Sequence, residues 1–188
     1  TGSFEDAADA LEALMRQTLA GQMIADVPLG AFLSGGIDSS AVVALMQAES
    51  RLPVRTFTIG FDNPAYDESP AAEAVARHLG TAHTTCRLGE ADVLDLIPRL
   101  SSIYDEPFAD ASQLPTALVS QTARRDVTAA LSGDGGDEIF GGYNRYVWGE
   151  RLQAGLNRVP LAAREIAASG IRRVSPSAWD GALSLLPA

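Results

Sequence analysis

The stretch Leu33-Ser34-Gly35-Gly36-Ile37-Asp38-Ser39-Ser40 follows an apolar run, residues 27–32, and precedes a segment rich in Ala, Val, Leu and Met, residues 41–49. A short apolar run that stops at a Gly-rich turn is typical of a buried strand, and the segment after it has the composition of a helix. Glycines let the backbone approach an anion closely, and the N–H groups at a helix start attract phosphate, with the three serines adding hydroxyl donors. The stretch therefore predicts a strand–turn–helix unit that binds phosphate, which we prefer to an ordinary capped turn.

Strand-like and helix-like segments alternate along most of the chain. We predict strands at residues 27–33, 55–61, 83–88 and 127–131, and helices at residues 4–23, 39–49, 69–80, 90–101 and 113–125. In the third helix, Ser69 is predicted as the cap, Pro70 as the first helical residue and Gly80 as the stop. This alternation predicts an α/β fold with a doubly wound parallel sheet flanked by helices.

A second Gly-rich stretch, Leu131-Ser132-Gly133-Asp134-Gly135-Gly136-Asp137-Glu138, follows the last predicted strand. Both stretches fall at strand carboxyl ends, where such sheets bind ligands, so we expect Leu33 and Leu131 to be adjacent. Clustered carboxylates repel one another, and Asp38 would repel phosphate, unless a cation joins them. We therefore predict that Asp38 and Asp137 bind Mg²⁺, with a solvated acidic turn as the alternative for the second stretch.

Composition limits the classes of function. The 188 residues suit a single domain, with residues 145–188 predicted as a helical appendage broken near Pro160 and Pro176. The net charge of −10 and the lack of a basic patch argue against nucleic acid as a partner. No apolar run reaches the length of a membrane span, so no membrane partner is predicted. All 14 basic residues are Arg, which excludes a Walker A loop because that loop needs a Lys.

The single cysteine, Cys86, fits a reducing compartment, and we predict a cytoplasmic location. We interpret Cys86 as a buried structural thiol, because His83 would face the opposite side of the same strand. The start of the chain has no basic region followed by an apolar one, so no signal peptide is predicted.

The two Gly-rich stretches together resemble the C-terminal synthetase domain of the asparagine synthetases (glutamine-hydrolysing), which are N-type ATP pyrophosphatases of the PP-loop superfamily. The first stretch alone is also similar to the loop of GMP and NAD synthetases, whereas the pair is specific. Further similarity at residues 27–30, 56–61 and 79–83 extends the resemblance over about residues 5–150. It implies an adenine nucleotide alpha hydrolase-like fold, with residues 1–188 forming a fragment of the synthetase domain.

The resemblance implies an ATP site at matching positions. Leu33 and Ile59 would frame the adenine, partly through backbone groups. Residues 34–40 would hold the β,γ-pyrophosphate, and Ser132 and Gly133 would touch the nucleotide.

The resemblance also implies the chemistry. Asp38 and Asp137 would bind Mg²⁺, while Asp134 and Glu138 would line the acceptor or ammonia side. A substrate carboxylate would attack the α-phosphorus of ATP to give an acyl-adenylate and pyrophosphate. Ammonia would then form the amide and release AMP. The implied partners are a small-molecule carboxylate, ammonia from the glutaminase domain of the same full-length protein, and a second copy in a homodimer.

Two parts of the family's machinery are expected to lie outside this chain. The glutaminase domain begins with a cysteine, whereas this chain begins with Thr1, so that domain is predicted to be absent. The family's catalytic Lys is expected beyond residue 188, and the fragment alone is therefore predicted to be inactive.

The acceptor is the least determined part of this interpretation. Residues 104–116 resemble the family's acceptor-binding segment, but Asp110 stands near the place where aspartate-using members often carry an Arg. That departure allows other carboxylates, for example on sugars, and a simple capped helix start is an equal alternative for the segment. For the whole chain, the alternatives are ring closure like that of β-lactam synthetase and a nucleotide-binding module without catalysis.

Overall fold

The computed structural model describes residues 2–64, 67–107, 110, 112–175 and 178–179. It contains two compact units, Thr1–Gly136 and Asp137–Ala188. The boundary between them lies just before the predicted appendage.

The described part of the first unit contains one sheet of parallel strands. They are β1 Leu29–Phe32, β2 Arg55–Phe61, β3 Ala82–Leu88 and β4 Ala129–Leu131. Their order is β3-β2-β1-β4, and Ala31 of β1 pairs with Thr56 on one side and Leu131 on the other. The chain moves outward from β1 to β3 and then returns to the opposite side of β1. A topological switch point therefore lies between β1 and β4.

Helices cover both faces of this sheet. Those described in the first unit are α1 Phe4–Gln22, α2 Ile37–Glu49, α3 Ser69–Leu79, α4 Glu90–Leu96, α5 Leu100–Ile103 and α6 Gln113–Ala123. Side chains of α1, α2 and α3 pack with Ala31 and Leu33 into one core, and those of α4 and α6 pack with Phe57 and Ile59 into another. Because neighbouring strand residues face opposite sides, the two cores lie on opposite faces. The predicted α/β fold, a doubly wound parallel sheet flanked by helices, is confirmed.

Local signals account for the ends of several elements. Ser3 caps α1 reciprocally, since Asp6 N donates to Ser3 Oγ at 3.1 Å and Ser3 N donates to Asp6 Oδ2 at 2.8 Å. Gly80 ends α3 in the left-handed region, with φ of 72°, as predicted.

Two helix predictions are wrong in detail. The cap of α3 is Glu68, and Ser69 is already helical, because its hydroxyl donates to Asp67 Oδ1 at 2.6 Å instead of capping the helix. The predicted helix at residues 90–101 is divided by a 3₁₀ turn that contains Pro98, which lacks the N–H that a continuous helix needs.

Cys86 and His83 lie on opposite faces of β3, as predicted. The Oγ1 atom of Thr56 lies 2.8 Å from Nδ1 of His83, whereas Cys86 packs against the core around Phe57. Burial lowers the pKa of His83, so its ring is neutral at pH 7. Cys86 is half-buried rather than fully buried as predicted, because β3 is an edge strand.

The second unit is helical where it is described, which agrees with the sequence pattern. Helix α7, Gly136–Phe140, begins at the last residue of the first unit, and α8 Asn144–Leu156 and α9 Leu161–Arg173 follow. Pro160 occupies the cap position of α9, while the break predicted near Pro176 lies outside the described residues. None of the described helices is both long and apolar enough to cross a membrane.

Candidate functional site

The two Gly-rich loops emerge side by side from the sheet. Ala31 of β1 is paired with Leu131 of β4 in a parallel register, so residues 33–40 and 132–136 leave the sheet at the same edge. This edge is the carboxyl end of the strands at the switch point, where open α/β sheets bind ligands. The prediction that these strand ends are adjacent is confirmed.

The glycines of the second loop let it pack directly on the first. A Cβ atom placed on Gly133 would lie 2.6 Å from the backbone nitrogen of Ser39 and 2.8 Å from the carbonyl carbon of Asp38. A Cβ atom on Gly136 would collide with the carboxylate of Asp38. The start of α2 and the second loop therefore form one continuous surface, with the Asp38 carboxylate lying against Gly136.

Hydroxyl groups hold the first loop in shape. The Oγ atoms of Ser34 and Ser39 lie 2.9 Å apart, and Ser34 N donates to Ser39 Oγ at 3.2 Å. Gly36 N in turn donates to Ser34 Oγ at 3.2 Å. These bonds organise the turn before any ligand arrives, so the loop needs little reordering to bind one.

The first turn of α3 supports the same loop from outside. Gly35 has φ of +81°, and a Cβ atom there would lie 2.8 Å from both Ala71 Cβ and Ala72 N. Position 35 therefore requires glycine for two reasons, its left-handed backbone conformation and its close contact with α3.

The start of α2 has the properties of an anion site. Gly36 occupies the cap position, and no side chain among the described residues caps the helix. The first N–H groups of an α-helix have no acceptor within the helix, and they carry the positive end of its dipole. Ser40 Oγ is buried and has no hydrogen-bond partner in the part of the chain that the structure describes. A phosphate group fits this end of α2, because it would accept from donors that the protein leaves unused.

The remaining predicted residues of the first unit already make contacts within the protein. Ser132 Oγ donates to Asp134 Oδ2 at 3.1 Å, so the Asp134 carboxylate is turned back on its own loop. The side chains of Leu33 and Ile59 lie in the two different cores, and Leu33 N already donates to Phe57 O at 3.0 Å. Any adenine contact from this pair would therefore come from the backbone, and the adenine role stays a prediction.

Asp137 and Glu138 open the second unit, so the joint metal site of Asp137 with Asp38 and the acceptor-side role of Glu138 stay predictions. The Asp137 carboxylate lies against Gly142, where a Cβ atom would collide with it. Tyr143 Oη donates to Glu138 Oε1 at 2.7 Å, and the Arg145 guanidinium lies 4.0 Å from the centre of the Tyr143 ring. The hydrogen bond from Tyr143 lowers the pKa of Glu138.

The hydrogen bonds of Asp67 were not predicted from the sequence. Its Oδ1 atom accepts from Ser69 Oγ at 2.6 Å, from Ser69 N at 3.1 Å and from Phe61 N at 3.4 Å. The hydrogen bond from the Ser69 hydroxyl lowers the pKa of Asp67. No local sequence pattern singles Asp67 out, because its partners depend on how β2 meets α3.

Comparison with known sequences decides the family. The sequence profile described as asparagine synthase matches residues 10–182. This chain belongs to the asparagine synthase family. The resemblance inferred from the two Gly-rich stretches is thereby confirmed.

Curated asparagine synthase relatives are much longer than this chain. A putative asparagine synthetase [glutamine-hydrolyzing] 2 of Methanocaldococcus jannaschii is 49% identical over 146 residues, which is 77% of this chain and 28% of that protein. Asparagine synthetase [glutamine-hydrolyzing] 1 of Bacillus subtilis is 35% identical over 156 residues, 80% of this chain and 24% of that protein. The chain thus spans about a quarter of the length of these relatives.

A solved structure of another protein is also similar to this chain. The NMN synthetase from Francisella tularensis aligns over 76% of this chain and 59% of that chain, with a TM-score of 0.48 and 19% sequence identity.

Part of the segment predicted to bind the acceptor lines a cavity. The cavity has a volume of about 460 Å³, and its lining residues are Leu100, Ser101, Tyr104, Asp105, Glu106, Pro107 and Gln113. Tyr104 Oη donates to Gln113 O at 2.7 Å, which joins the two ends of the segment. Asp110 Oδ1 accepts from Ser112 N at 2.8 Å, whereas Phe108, Ala109 and Ala111 lie outside the described residues.

Few protein side chains are available as ligands for Mg²⁺ among the described residues. No group of three or more His, Cys, Asp or Glu side chains converges as a metal site among the described residues. Magnesium at a nucleotide site commonly uses only one or two protein carboxylates, with phosphate oxygens and water as the other ligands. Asp38, in the first turn of α2, fits that role, and the metal assignment remains a prediction.

Proposed function

We propose that this chain binds ATP at its two Gly-rich loops and activates a carboxylate, aspartate or a related acceptor, for amidation. The observation that carries the proposal is the packing of Gly133 and Gly136 onto the start of α2. This packing sets the Asp38 carboxylate beside a helix end that attracts phosphate. A carboxylate beside a polyphosphate is repulsive unless a cation lies between them, so the arrangement favours magnesium-bound nucleotide over a bare anion.

The residues of the two loops would divide the work of binding. The backbone of residues 34–40 would donate to the β,γ-pyrophosphate, and Ser132 and Gly133 would contact the nucleotide. Asp38 and Asp137 would hold Mg²⁺, which neutralises phosphate charge and so stabilises pyrophosphate as a leaving group. Donors that are already fixed in place stabilise that charge without reorganisation.

ATP is a substrate in the proposed reaction. The acceptor carboxylate attacks the α-phosphorus, the bond to the pyrophosphate oxygen breaks, and an acyl-adenylate forms. Ammonia then attacks the acyl carbon, giving the amide and AMP. Asp134 and the ionised Glu138 would line the acceptor or ammonia side, where anionic carboxylates suit proton acceptance rather than donation.

The ammonia source is proposed from the relatives. The relatives cited above are named glutamine-hydrolyzing, and this chain spans only about a quarter of their length. A glutaminase domain in the full-length protein would therefore supply the ammonia. A cytoplasmic location and a homodimer are further parts of the proposal.

The acceptor would bind at the cavity lined by residues 104–107. Asp105 and Glu106 lie at its wall, and both would repel the second carboxylate of free aspartate. This charge distribution favours a related acceptor with a single carboxylate over aspartate itself.

Pyrophosphate–ATP exchange that depends on a carboxylate acceptor tests the proposal in the full-length protein. We expect Asp38→Asn to nearly abolish exchange, because the metal loses a ligand, while folding and glutaminase activity persist. Glu90→Gln is a matched control, since Glu90 is also an acidic residue in the first turn of a helix, α4, and belongs to neither Gly-rich loop.

Wild-type exchange rates in both Asp38→Asn and Asp137→Asn would refute the metal assignment. Exchange that is absent from the wild type with every carboxylate tested would indicate a nucleotide-binding module without catalysis. Release of AMP without any need for ammonia would instead indicate ring closure like that of β-lactam synthetase.

A further inference from the structure

Asp67 joins the end of β2 to the beginning of α3. One oxygen, Oδ1, accepts from Phe61 N at the end of the strand and from both the backbone and the hydroxyl of Ser69 at the start of the helix. The Ser69 side chain is fully buried, and the Asp67 side chain is only 12% exposed. A buried acceptor with three donors fixes the angle at which the chain enters α3, because losing it would leave buried donors unsatisfied.

The strand leaves space for this junction. A Cβ atom on Gly60 would lie 2.9 Å from Ser69 Oγ and 3.3 Å from Asp67 Oδ1. Gly60 has no left-handed φ, so glycine is needed there for the close approach of the carboxylate and hydroxyl. The fit of strand, carboxylate and helix start is therefore tight.

The first turn of α3, whose position Asp67 fixes, also packs against the first Gly-rich loop, residues 34–40. Ala71 N and Ala72 N both donate to Glu68 O at 3.1 Å, which continues the junction into the first turn of α3. That turn lies against Gly35, where a Cβ atom would be 2.8 Å from Ala71 Cβ and Ala72 N. A shift of the first turn of α3 by a few tenths of an ångström would therefore reach Gly35 directly.

We infer that Asp67 is a positioning residue for the pyrophosphate-binding loop, acting through the first turn of α3 on Gly35. The inference rests on the proposed function insofar as the loop binds the pyrophosphate of ATP. The hydrogen bonds of Asp67 go to Phe61 and Ser69 rather than to the loop, so its role is to hold the turn at Gly35 in the conformation that aims residues 34–40 at the ligand.

The test compares two side chains that both tie α3 to the sheet. Asp67→Ala removes the junction at the start of α3, whereas Glu73→Ala removes the bond that Thr85 Oγ1 of β3 donates to Glu73 Oε1 at 2.9 Å. Asp67→Asn keeps an oxygen acceptor at the junction and is the conservative variant. Amide hydrogen exchange of residues 33–40 reports on the loop without a ligand, and calorimetric titration with inorganic pyrophosphate and Mg²⁺ reports on binding, both in the full-length protein.

We expect Asp67→Ala to speed amide exchange in residues 33–40 and to weaken pyrophosphate binding, each by roughly tenfold, the size expected for loss of a buried hydrogen-bonded acceptor. Amide exchange in β4 should stay unchanged. Asp67→Asn should keep both loop exchange and pyrophosphate binding close to wild type, and Glu73→Ala should change neither. If Asp67→Ala does not fold, Ser69→Ala, which removes only the 2.6 Å hydroxyl bond, should show the same changes at smaller size.

Exchange at the wild-type rate in residues 33–40 of folded Asp67→Ala would overturn the inference, as would equal loosening of the loop by Glu73→Ala. Failure of the wild type to bind pyrophosphate would count against the proposed ATP site, and the ligand-free exchange measurement would still decide the role of Asp67.

Discussion

The two Gly-rich loops meet at one edge of the sheet, yet they need their glycines for different reasons. In the first loop, Gly35 has φ of +81° and is also pressed against the first turn of α3. In the second loop, Gly133 and Gly136 have no left-handed φ, and what they require is space for the backbone and carboxylate at the start of α2. The first loop thus places both demands on Gly35, whereas the second meets them at different positions, with a left-handed φ at Gly135 and close packing at Gly133 and Gly136.

A distinction also exists within the second loop. The atoms nearest to a Cβ on Gly133 belong to the backbone of α2, which cannot move without moving the helix start. Those nearest to a Cβ on Gly136 belong to the Asp38 side chain, which can rotate away. Gly133 should therefore matter chiefly for stability, and Gly136 chiefly for the position of the predicted metal ligand.

The largest expected effect on stability is that of Gly35→Ala. An alanine in the left-handed region lowers the free energy of unfolding by about 1–2 kcal/mol. The clash of its Cβ atom with the first turn of α3 should lower it further, by about 1–3 kcal/mol. Gly80→Ala is the matched control, because Gly80 has φ of +72° but no heavy atom within 4 Å of the position that a Cβ atom would take. Urea unfolding of both variants separates the two costs, and equal losses of stability would show that the contact with α3 is unimportant.

Gly133→Ala should come next. The alanine would meet Ser39 N at 2.6 Å with no penalty from φ, so we expect a loss of about 1–3 kcal/mol in the free energy of unfolding. Pyrophosphate binding should weaken as well, because the clash displaces the start of α2. A variant with wild-type stability and wild-type binding would refute the close packing of the two loops.

Gly136→Ala should separate function from stability. Because the Asp38 carboxylate can rotate away, the expected loss of stability is under about 1 kcal/mol, within the usual range for a modest surface change. Pyrophosphate–ATP exchange should nevertheless fall strongly, since the rotation removes Asp38 from its place at the loop. Gly135→Ala is the control, because an alanine there would have open space and would not touch Asp38. It should lose stability, since its φ of +92° strains an alanine, but should keep near-normal pyrophosphate–ATP exchange.

The sequence was informative where one signal dominated. The parallel strands and the adjacency of Leu33 and Leu131 could be predicted because apolar runs ending in Gly-rich turns alternate with helical segments. Ser69 was misassigned because a serine before Pro70 resembles a helix cap, and its real partner, Asp67, is selected by the space at Gly60 on a different element. Contacts that depend on two distant elements meeting have no local signature.

The same limit applies to the candidate site. The proposal that the start of α2 binds an anion rests on a local pattern, so it could be made from residues 33–40 alone. The support of Gly35 by α3 is a tertiary contact and could not. Asp137 was chosen among three clustered carboxylates by chemistry alone, and its place beside Gly142 belongs to the second unit.

The smallest expected effect concerns Glu138, at the start of the second unit rather than in the first. The Tyr143 hydroxyl donates to its carboxylate at 2.7 Å and lowers its pKa, and this bond is expected to be lost in Tyr143→Phe. The pKa of Glu138 should therefore rise toward its ordinary value in the variant, as measured by NMR titration of the carboxyl carbon. A depressed folded-state pKa stabilises the protein above the unfolded-state pKa, and this contribution disappears as the pH falls through the folded-state value. The variant should accordingly lose slightly more stability at neutral pH than in acid, whereas Tyr146→Phe, which leaves the Glu138 bond in place, should leave the titration unchanged. An unchanged pKa in Tyr143→Phe would show that the hydrogen bond from Tyr143 does not set the pKa of Glu138.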